Sequence, residues 1–207
     1  MAHTTLGVIL MVFNTPIPQS LATEIEKCTR ILKKLKIPPA VLEKARGVAI
    51  VSIFNFSAIV SGSAGSGIVL ARLEDDEWSA PAAISTMGGG FNLSIGTHLI
   101  DVVFVLNTSD AVKEFCRGGK FSLKELKFAT GPNENENGEY CDVYVYEKSK
   151  GIAALLIPTG EVLKSTVIVE RNDANKTFYE KEVSIEELLT GKVPAPKDIL
   201  PLHDLLE

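Results

Sequence analysis

The stretch VAIVSIFNFSAIVSGSAGSGIVLARL, residues 48–73, decides the fold of this chain. Two apolar runs flank a segment of glycine, serine and alanine, which is either a phosphate-binding loop or part of a sheet. A Walker loop requires Gly-Lys-Ser/Thr and a dinucleotide loop leads into a helix, whereas the strand-like IVLARL follows Gly67. Glycines within a strand pattern mark bulges, bends or close backbone approach. We therefore predict strands at residues 48–54 and 57–73.

The remaining sequence alternates short strand patterns with few long helices, which favours an α+β fold. We expect a curled, largely antiparallel sheet with an N-terminal amphipathic helix and several short helices. Further strands are predicted at 82–95 and 98–107, two or three more with turns between them within 143–170, and short helices near residues 108, 172 and 184. The domain prediction is an apolar extension at 1–13, one domain at 14–195, and a Pro-containing, irregular tail at 196–207.

Residues 20–36 predict the amphipathic helix. Ser20 is a suitable N-cap, and apolar residues recur at helical spacing from Leu21 to Leu35. Lys27, Arg30, Lys33 and Lys34 are predicted to lie on the opposite face, and Pro38 and Pro39 end this helix and begin a short second one.

Composition excludes several classes of function. The net charge of −5 gives no general attraction to nucleic acid, so binding to an anionic surface requires a local basic cluster. The three cysteines lack the spacing of a disulfide framework or a zinc site, which indicates a reducing compartment. TLGVILMVF, residues 5–13, is shorter than the roughly 20 residues that span a bilayer. It is interpreted as a first strand or an apolar arm packed on the body, with a membrane-inserting segment or an artefactual extension as alternatives.

The sequence offers no convincing catalytic constellation, and we expect neither enzymatic activity, nor a cofactor, nor a metal site. His98 is predicted to be structural. Asp101 interrupts an apolar strand and, when buried, needs a partner, for which a backbone turn or a basic residue such as Arg72 or Arg171 is suitable. The acidic segments 74–77 and 134–142 carry the ligand types of calcium but not the EF-hand spacing, so they are interpreted as solvated loops.

Seven pieces in conserved order carry a resemblance to the SYLF domain family, the lipid-binding and actin-binding domain of yeast and mammalian endocytic proteins. They are NTPIPQSLATEIEKCTRIL (14–32), IPPAVLEKARGVAIVSIF (37–54), SGSAGSGIVLARL (61–73), WSAPAAI (78–84), DVVFVLNTSDAV (101–112), YEKSKG (146–151) and VIVERNDANKTFY (167–179). The chain departs from the family at Ser63, where the family usually has Arg, and in its acidic loop after residue 132. A missing Arg weakens anionic-ligand binding if the family's site uses it.

The resemblance implies a cytoplasmic, peripheral-membrane module that binds anionic phospholipid, specifically phosphoinositide, and takes part in endocytosis or actin organisation. A helix with an apolar stripe and basic flanks can lie in a membrane interface, where each basic residue contributes about 1 kcal/mol. The candidate lipid-binding residues are Lys27, Arg30, Lys33, Lys34, Lys36, Lys44 and Arg46.

Three alternatives stay open from the sequence. Any surface helix of a globular protein also shows an apolar stripe and a charged face. The same basic cluster suits the acidic surface of an actin filament. A curled sheet with small-residue strands can instead enclose a pocket for a small molecule, as in a binding or catalytic domain.

Overall fold

An eight-stranded sheet forms the centre of the protein, seen in a computed structural model that describes residues 14–57, 61–90, 96–117, 120–122, 126–132, 140–150 and 166–207. The strands are β1 Gly47–Ser57, β2 Ser61–Ala71, β3 Ala82–Gly90, β4 Gly96–Leu106, β5 Lys120–Ser122, β6 Phe128–Thr130, β7 Val143–Lys150 and β8 Thr166–Glu170. Their order is β5-β8-β3-β2-β1-β4-β7-β6, and every pair except β6–β7 is antiparallel. The predicted α+β fold with a largely antiparallel sheet is confirmed.

Helices cover both faces of this sheet. They are α1 Leu21–Leu35, α2 Pro39–Leu42, α3 Ser109–Cys116, α4 Asn172–Tyr179, α5 Ile185–Leu189 and α6 Leu200–His203, with a 3-10 turn at Lys197–Ile199. Buried residues of α1, α2, α4 and α6 share one apolar core with the sheet, and those of α3 and α5 share another. Strands β1 and β4 therefore have buried side chains on both faces of the sheet, which explains their near-continuous apolar runs.

The small residues of β2 belong to the sheet, as predicted. A Cβ atom on Gly67 would lie 1.9 Å from the carbonyl oxygen of Ile50, and one on Gly65 would lie 2.5 Å from that of Ser52. Both distances are far inside van der Waals contact, so only glycine permits β1 and β2 to approach this closely. The glycines are architectural, and no phosphate-binding loop forms there.

The C-terminal tail differs from its prediction as irregular. Residues 197–203 form the 3-10 turn and α6, and Ile199, Leu202 and Leu206 are buried in the core that α1 also joins. Pro196 and Pro201 precede or open these short elements, where proline has no hydrogen bond to lose. The prolines of this tail therefore mark the beginnings of short helical elements rather than irregular structure.

Several predictions fall outside the described residues. Residues 5–13, most of the acidic segment 134–142 and the side chain of His98 belong to this group. Within the described part of the chain, no helix is both long and apolar enough to cross a bilayer, and no group of His, Cys, Asp and Glu is arranged to hold a metal ion.

Candidate basic docking surface

Helix α1 forms where the sequence predicts it. The Ser20 side chain accepts a hydrogen bond from the backbone N–H of Thr23, and Lys36 ends the helix in the left-handed conformation with φ 48°. Glu24 in the first turn and Lys33 and Lys34 in the last turn complement the helix dipole. The N-terminal helix is thus fixed by local signals at both ends.

The apolar stripe of α1 is buried in the protein. Leu21, Ile25, Cys28, Ile31 and Leu32 pack against the sheet and α6. An interfacial helix binds a membrane by burying such a stripe in the lipid. In this structure the stripe already stabilises the core, so only the outward face of α1 is free to meet a partner.

Six of the seven predicted binding residues lie on the exposed surface. They are Arg30, Lys33, Lys34, Lys36, Lys44 and Arg46, and we call this set the basic face. All six fall within residues 30–46, where Glu43 is the one acidic residue, so six positive charges less one give a local formal charge of +5. This segment carries a strongly positive charge on a chain whose net charge is −5.

The seventh residue, Lys27, does not belong to this surface, and its predicted exposed position is wrong. Its side chain is only 2% exposed and forms an ion pair with Glu24 at 2.5 Å. The Nζ atom also donates to the carbonyl oxygens of Thr15 and Ser66, at 3.1 and 3.0 Å, and to Ser66 Oγ at 2.9 Å. Lys27 is therefore a structural cation that ties α1 to β2 and to the segment preceding the helix.

The sequence contained a signal for this burial. At 3.6 residues per turn, Glu24 falls inside the apolar stripe, between Ile31 and Cys28 around the helix. A carboxylate buried at that position needs a cation within reach, and Lys27 stands one turn later at the edge of the stripe. Periodicity of the apolar residues alone missed the pair because it ignored where Glu24 fell.

A row of buried polar side chains on the sheet lies beneath this part of α1. Ser66 of β2, Ser52 of β1 and Asp101 of β4 occupy directly paired positions and point to the same face. Asp101 accepts hydrogen bonds from Asn14 Nδ2 at 2.7 Å and from Ser52 Oγ at 2.9 Å. The prediction that Asp101 is buried and bonded is correct, whereas the two suggested arginines are not among these contacts.

The two suggested arginines serve other purposes. Arg72 stacks on Trp78 with 4.6 Å to the ring centroid, and it donates to backbone carbonyls of residues 42, 45 and 76. Arg171 donates to the carbonyl of Gln19 at 2.6 Å and to Asp173 at 3.2 Å. Both guanidinium groups fasten loops to the body of the domain.

Two features bear on the enzyme and small-molecule alternatives. Burial raises the pKa of the Cys28 thiol from 9.0 to about 12, so it is protonated and unreactive near neutral pH. A groove of about 450 Å³ lies between the first turn of α1 and α4, lined by Ser20, Thr177 and Phe178 among others. The Arg171 guanidinium at its wall is already engaged, as described above. Neither feature adds support to a catalytic or ligand-binding site.

Comparison with known proteins identifies the family. The sequence model of the Ysc84 family, described as Las17-binding protein actin regulator, matches residues 87–207. The chain belongs to the Ysc84 (SYLF) family. The resemblance to SYLF domains seen in the sequence is thereby confirmed. The match includes the C-terminal residues 196–207, in agreement with their place in the core.

Curated relatives extend the match to nearly the whole chain. LAS seventeen-binding protein 3 of Saccharomyces cerevisiae is 36% identical, covering 95% of this chain and 46% of its own length. Protein YSC84 of the same species is 35% identical, with 95% and 45% covered. The human SH3 domain-containing YSC84-like protein 1 is 34% identical, with 94% and 60% covered. The chain thus spans about half the length of these relatives. No solved structure matches it significantly.

Proposed function

We propose that this chain is a non-enzymatic, actin-linked module whose basic face docks on the acidic surface of an actin filament. The observation that carries the proposal is the contrast between the buried apolar stripe of α1 and the six exposed cations of residues 30–46, which belong to the last turns of α1 and the segment after it. A surface of that kind recognises its partner by charge rather than by insertion. The family description as an actin regulator supports actin as the partner.

The exposed cations have a form suited to a broad acidic surface. Four of the six are lysines, which are hydrated point charges on flexible stems and do not require the planar geometry of an arginine contact. Because exposed charges interact through solvent, this attraction is screened at physiological salt, where the Debye length is about 8 Å. We therefore expect binding that weakens steeply as salt is added.

Filament co-sedimentation tests this proposal. The intact chain is compared with a variant carrying Arg30→Glu, Lys33→Glu and Lys34→Glu, at low and at physiological salt. We expect the intact chain to pellet with filaments at low salt and the variant to stay in the supernatant. A matched control carries Lys113→Glu, Lys181→Glu and Lys192→Glu, three exposed lysines elsewhere with the same total charge change. Absence of pelleting by the intact chain at low salt rejects actin as the partner.

A second candidate is an anionic phospholipid membrane, specifically one containing phosphoinositide, to which the chain would bind peripherally from the cytoplasm. It is favoured by the local charge of +5 within residues 30–46, since each basic residue near such a surface contributes about 1 kcal/mol. With the stripe of α1 buried, the binding would rest on charge alone. Flotation with phosphatidylcholine vesicles, with and without phosphoinositide, separates the two candidates, and the same two charge variants serve as probe and control.

Both candidates are consistent with a role in endocytosis or actin organisation. The names of the relatives refer to Las17 binding, so Las17-type proteins are further candidate partners for this chain. The proposal concerns the module described here, since the relatives are about twice as long and contain regions that this sequence does not match.

A further inference from the structure

An apolar row crosses five strands of the sheet beyond the end of α1. Phe54 of β1 is paired with Ala64 of β2 and Leu99 of β4, Ala64 is paired with Met87 of β3, and Met87 with Val167 of β8. Directly paired residues of antiparallel strands point to the same face. These five side chains therefore form one continuous row, which we call the apolar row, on the face that carries α1.

The apolar row is open to solvent. Met87 is 55% exposed and Phe54 38%, and both are among the most exposed large apolar side chains of the described residues. Ala64 is also exposed, while Leu99 and Val167 are partly buried. On the same face, Ser52 and Ser66 lie two residues along their strands from Phe54 and Ala64, and both are fully buried under α1 and the segment before it. A contiguous apolar patch at the border of a covered region marks a surface that has an occupant.

The described chain begins beside this row. Asn14 is buried, its Nδ2 donates to Asp101 Oδ2 at 2.7 Å, and its carbonyl accepts from Ser52 Oγ at 3.2 Å. Asp101 and Ser52 stand two residues along their strands from Leu99 and Phe54, which belong to the apolar row. The described chain therefore begins at the edge of the row, where Asn14 bonds to β1 and β4.

The residues immediately before Asn14 have the matching chemistry and length. Residues 5–13, TLGVILMVF, contain no charged side chain. Nine extended residues reach about 30 Å, whereas five strands at a spacing of about 4.8 Å extend over about 19 Å. The segment is thus long enough to turn at residue 13 and cross the whole row.

We propose that residues 5–13 are the occupant of the apolar row and pack on it as an arm of the domain. The arm buries Phe54, Ala64 and Met87 and is anchored by the bonds of Asn14. This inference concerns the sheet and does not depend on the function proposed for the basic face.

Oxidation of Met87 by hydrogen peroxide, followed by peptide mass spectrometry, measures whether the row is covered. The full chain is compared with a variant carrying Ile9→Asp and Leu10→Asp, which places a carboxylate on either side of an extended arm. The control carries Ala2→Asp and Thr4→Asp, with the same charge change outside the segment. We expect Met87 to oxidise severalfold faster in the first variant than in the intact chain or the control. Protection of Cys28 from thiol reagents in each protein shows that the core remains folded.

Equal oxidation of Met87 in all three proteins overturns the proposal. It is also overturned if protection of Met87 depends on protein concentration, which indicates a second copy on the row, or appears only with phosphatidylcholine–phosphatidylserine vesicles. If the first variant exposes Cys28, a chain with Ala64→Cys and one cysteine at a position from 8 to 12 replaces it. An intramolecular cross-link by a short bis-maleimide at one of those positions supports the arm. Absence of a link at all five positions, or formation of linked dimers alone, refutes it.

Discussion

Lys27 and Lys34 lie only about 20° apart around α1 at 3.6 residues per turn, yet Lys27 is buried and Lys34 is exposed. The difference comes from what faces each residue. Lys27 stands above Ser66 and beside the buried carboxylate of Glu24, and its ammonium is fully engaged there. Lys34 is in the last turn, where the carbonyl end of the helix favours a solvated cation. The position along the helix, more than the position around it, separates a structural cation from one that is free for a partner.

The largest effect on stability is expected when the buried ion pair of Lys27 and Glu24 is broken. Lys27→Met removes the nearer cation and leaves the buried Glu24 carboxylate with the Gln19 backbone N–H and the Arg171 guanidinium, which is 4.0 Å away. Breaking a buried ion pair typically costs about 3–5 kcal/mol. We expect the free energy of unfolding in urea to fall by an amount in that range. Since the ammonium also bonds Thr15, the segment before α1 should become more exposed to proteolysis.

A double variant gives the control for this prediction. Glu24→Leu together with Lys27→Met removes both charges, and an apolar replacement of a buried ion pair is often neutral. The double variant should therefore be clearly more stable than Lys27→Met alone. A cost for Lys27→Met below about 1 kcal/mol would place the residue with the surface lysines and contradict its structural role.

The second prediction concerns the anchor at Asn14. Asn14→Ala removes the donor to Asp101, and the loss of a hydrogen bond to a buried charged group is expected to cost about 1.5–3 kcal/mol. Gln19→Ala is the matched control, because Gln19 takes part through its backbone N–H and carbonyl, which alanine retains. If urea denaturation shows that the two variants lose the same free energy of unfolding, Asn14 does not anchor the segment before α1.

Local sequence signals predicted the elements, and long-range contacts accounted for what they missed. The strands β1 and β2, the helix capped by Ser20 and the short helices α4 and α5 follow from periodicity and capping, which act over a few residues. The partner of Asp101 is 87 residues away at Asn14, and no local pattern points to it. Proline spacing was interpreted as irregular structure in the tail because the core that receives Leu202 is formed by residues far earlier in the chain.

The candidate site was predicted to a similar degree. Exposure of Arg30 and Lys33 follows from helical periodicity, because both lie opposite the apolar stripe. Periodicity does not separate Lys34 from the buried Lys27, which is only about 20° away around the helix. The role of Lys27 required a different question, namely which residue neutralises Glu24. Whether the apolar stripe meets lipid or the sheet is not decided by periodicity, because both partners select the same pattern.

His203, unlike Lys27, is a buried ionisable side chain with one nitrogen that has no hydrogen-bond partner among the described residues. The nitrogen without a partner is Nε2, and burial lowers the pKa of the imidazole below the ordinary 6.5. The hydrogen bond with the Ser79 backbone, and then the charges of Glu77, Glu207 and Asp204, oppose that shift in part. The neutral form is favoured in the folded state, so its contribution to stability is present above pH 6.5 and is lost as the pH falls through the lowered pKa.

The expected result is a smaller loss of stability on acidification when this histidine is absent. His203→Leu should narrow the difference in melting temperature between pH 7.5 and pH 5 relative to the native chain. His3→Leu, outside the described residues, controls for removal of a histidine as such. If His203→Leu shows the same difference in melting temperature between the two pH values as the native chain, the loss of stability in acid comes from other groups.

Lys34→Met is expected to have the smallest effect on the free energy of unfolding. Lys34→Met makes the same chemical change as Lys27→Met, about 20° away around the helix. Because Lys34 is exposed, the free energy of unfolding should change by no more than about 0.5 kcal/mol. Binding should respond in the opposite order, since removal of one charge from the basic face weakens attraction to an acidic surface and reduces its salt dependence. Urea denaturation and low-salt co-sedimentation of the same two variants measure both orders. The proposal is contradicted if Lys34→Met binds filaments as well as the native chain while Lys27→Met is folded but does not bind. The docking surface would then lie outside residues 30–46.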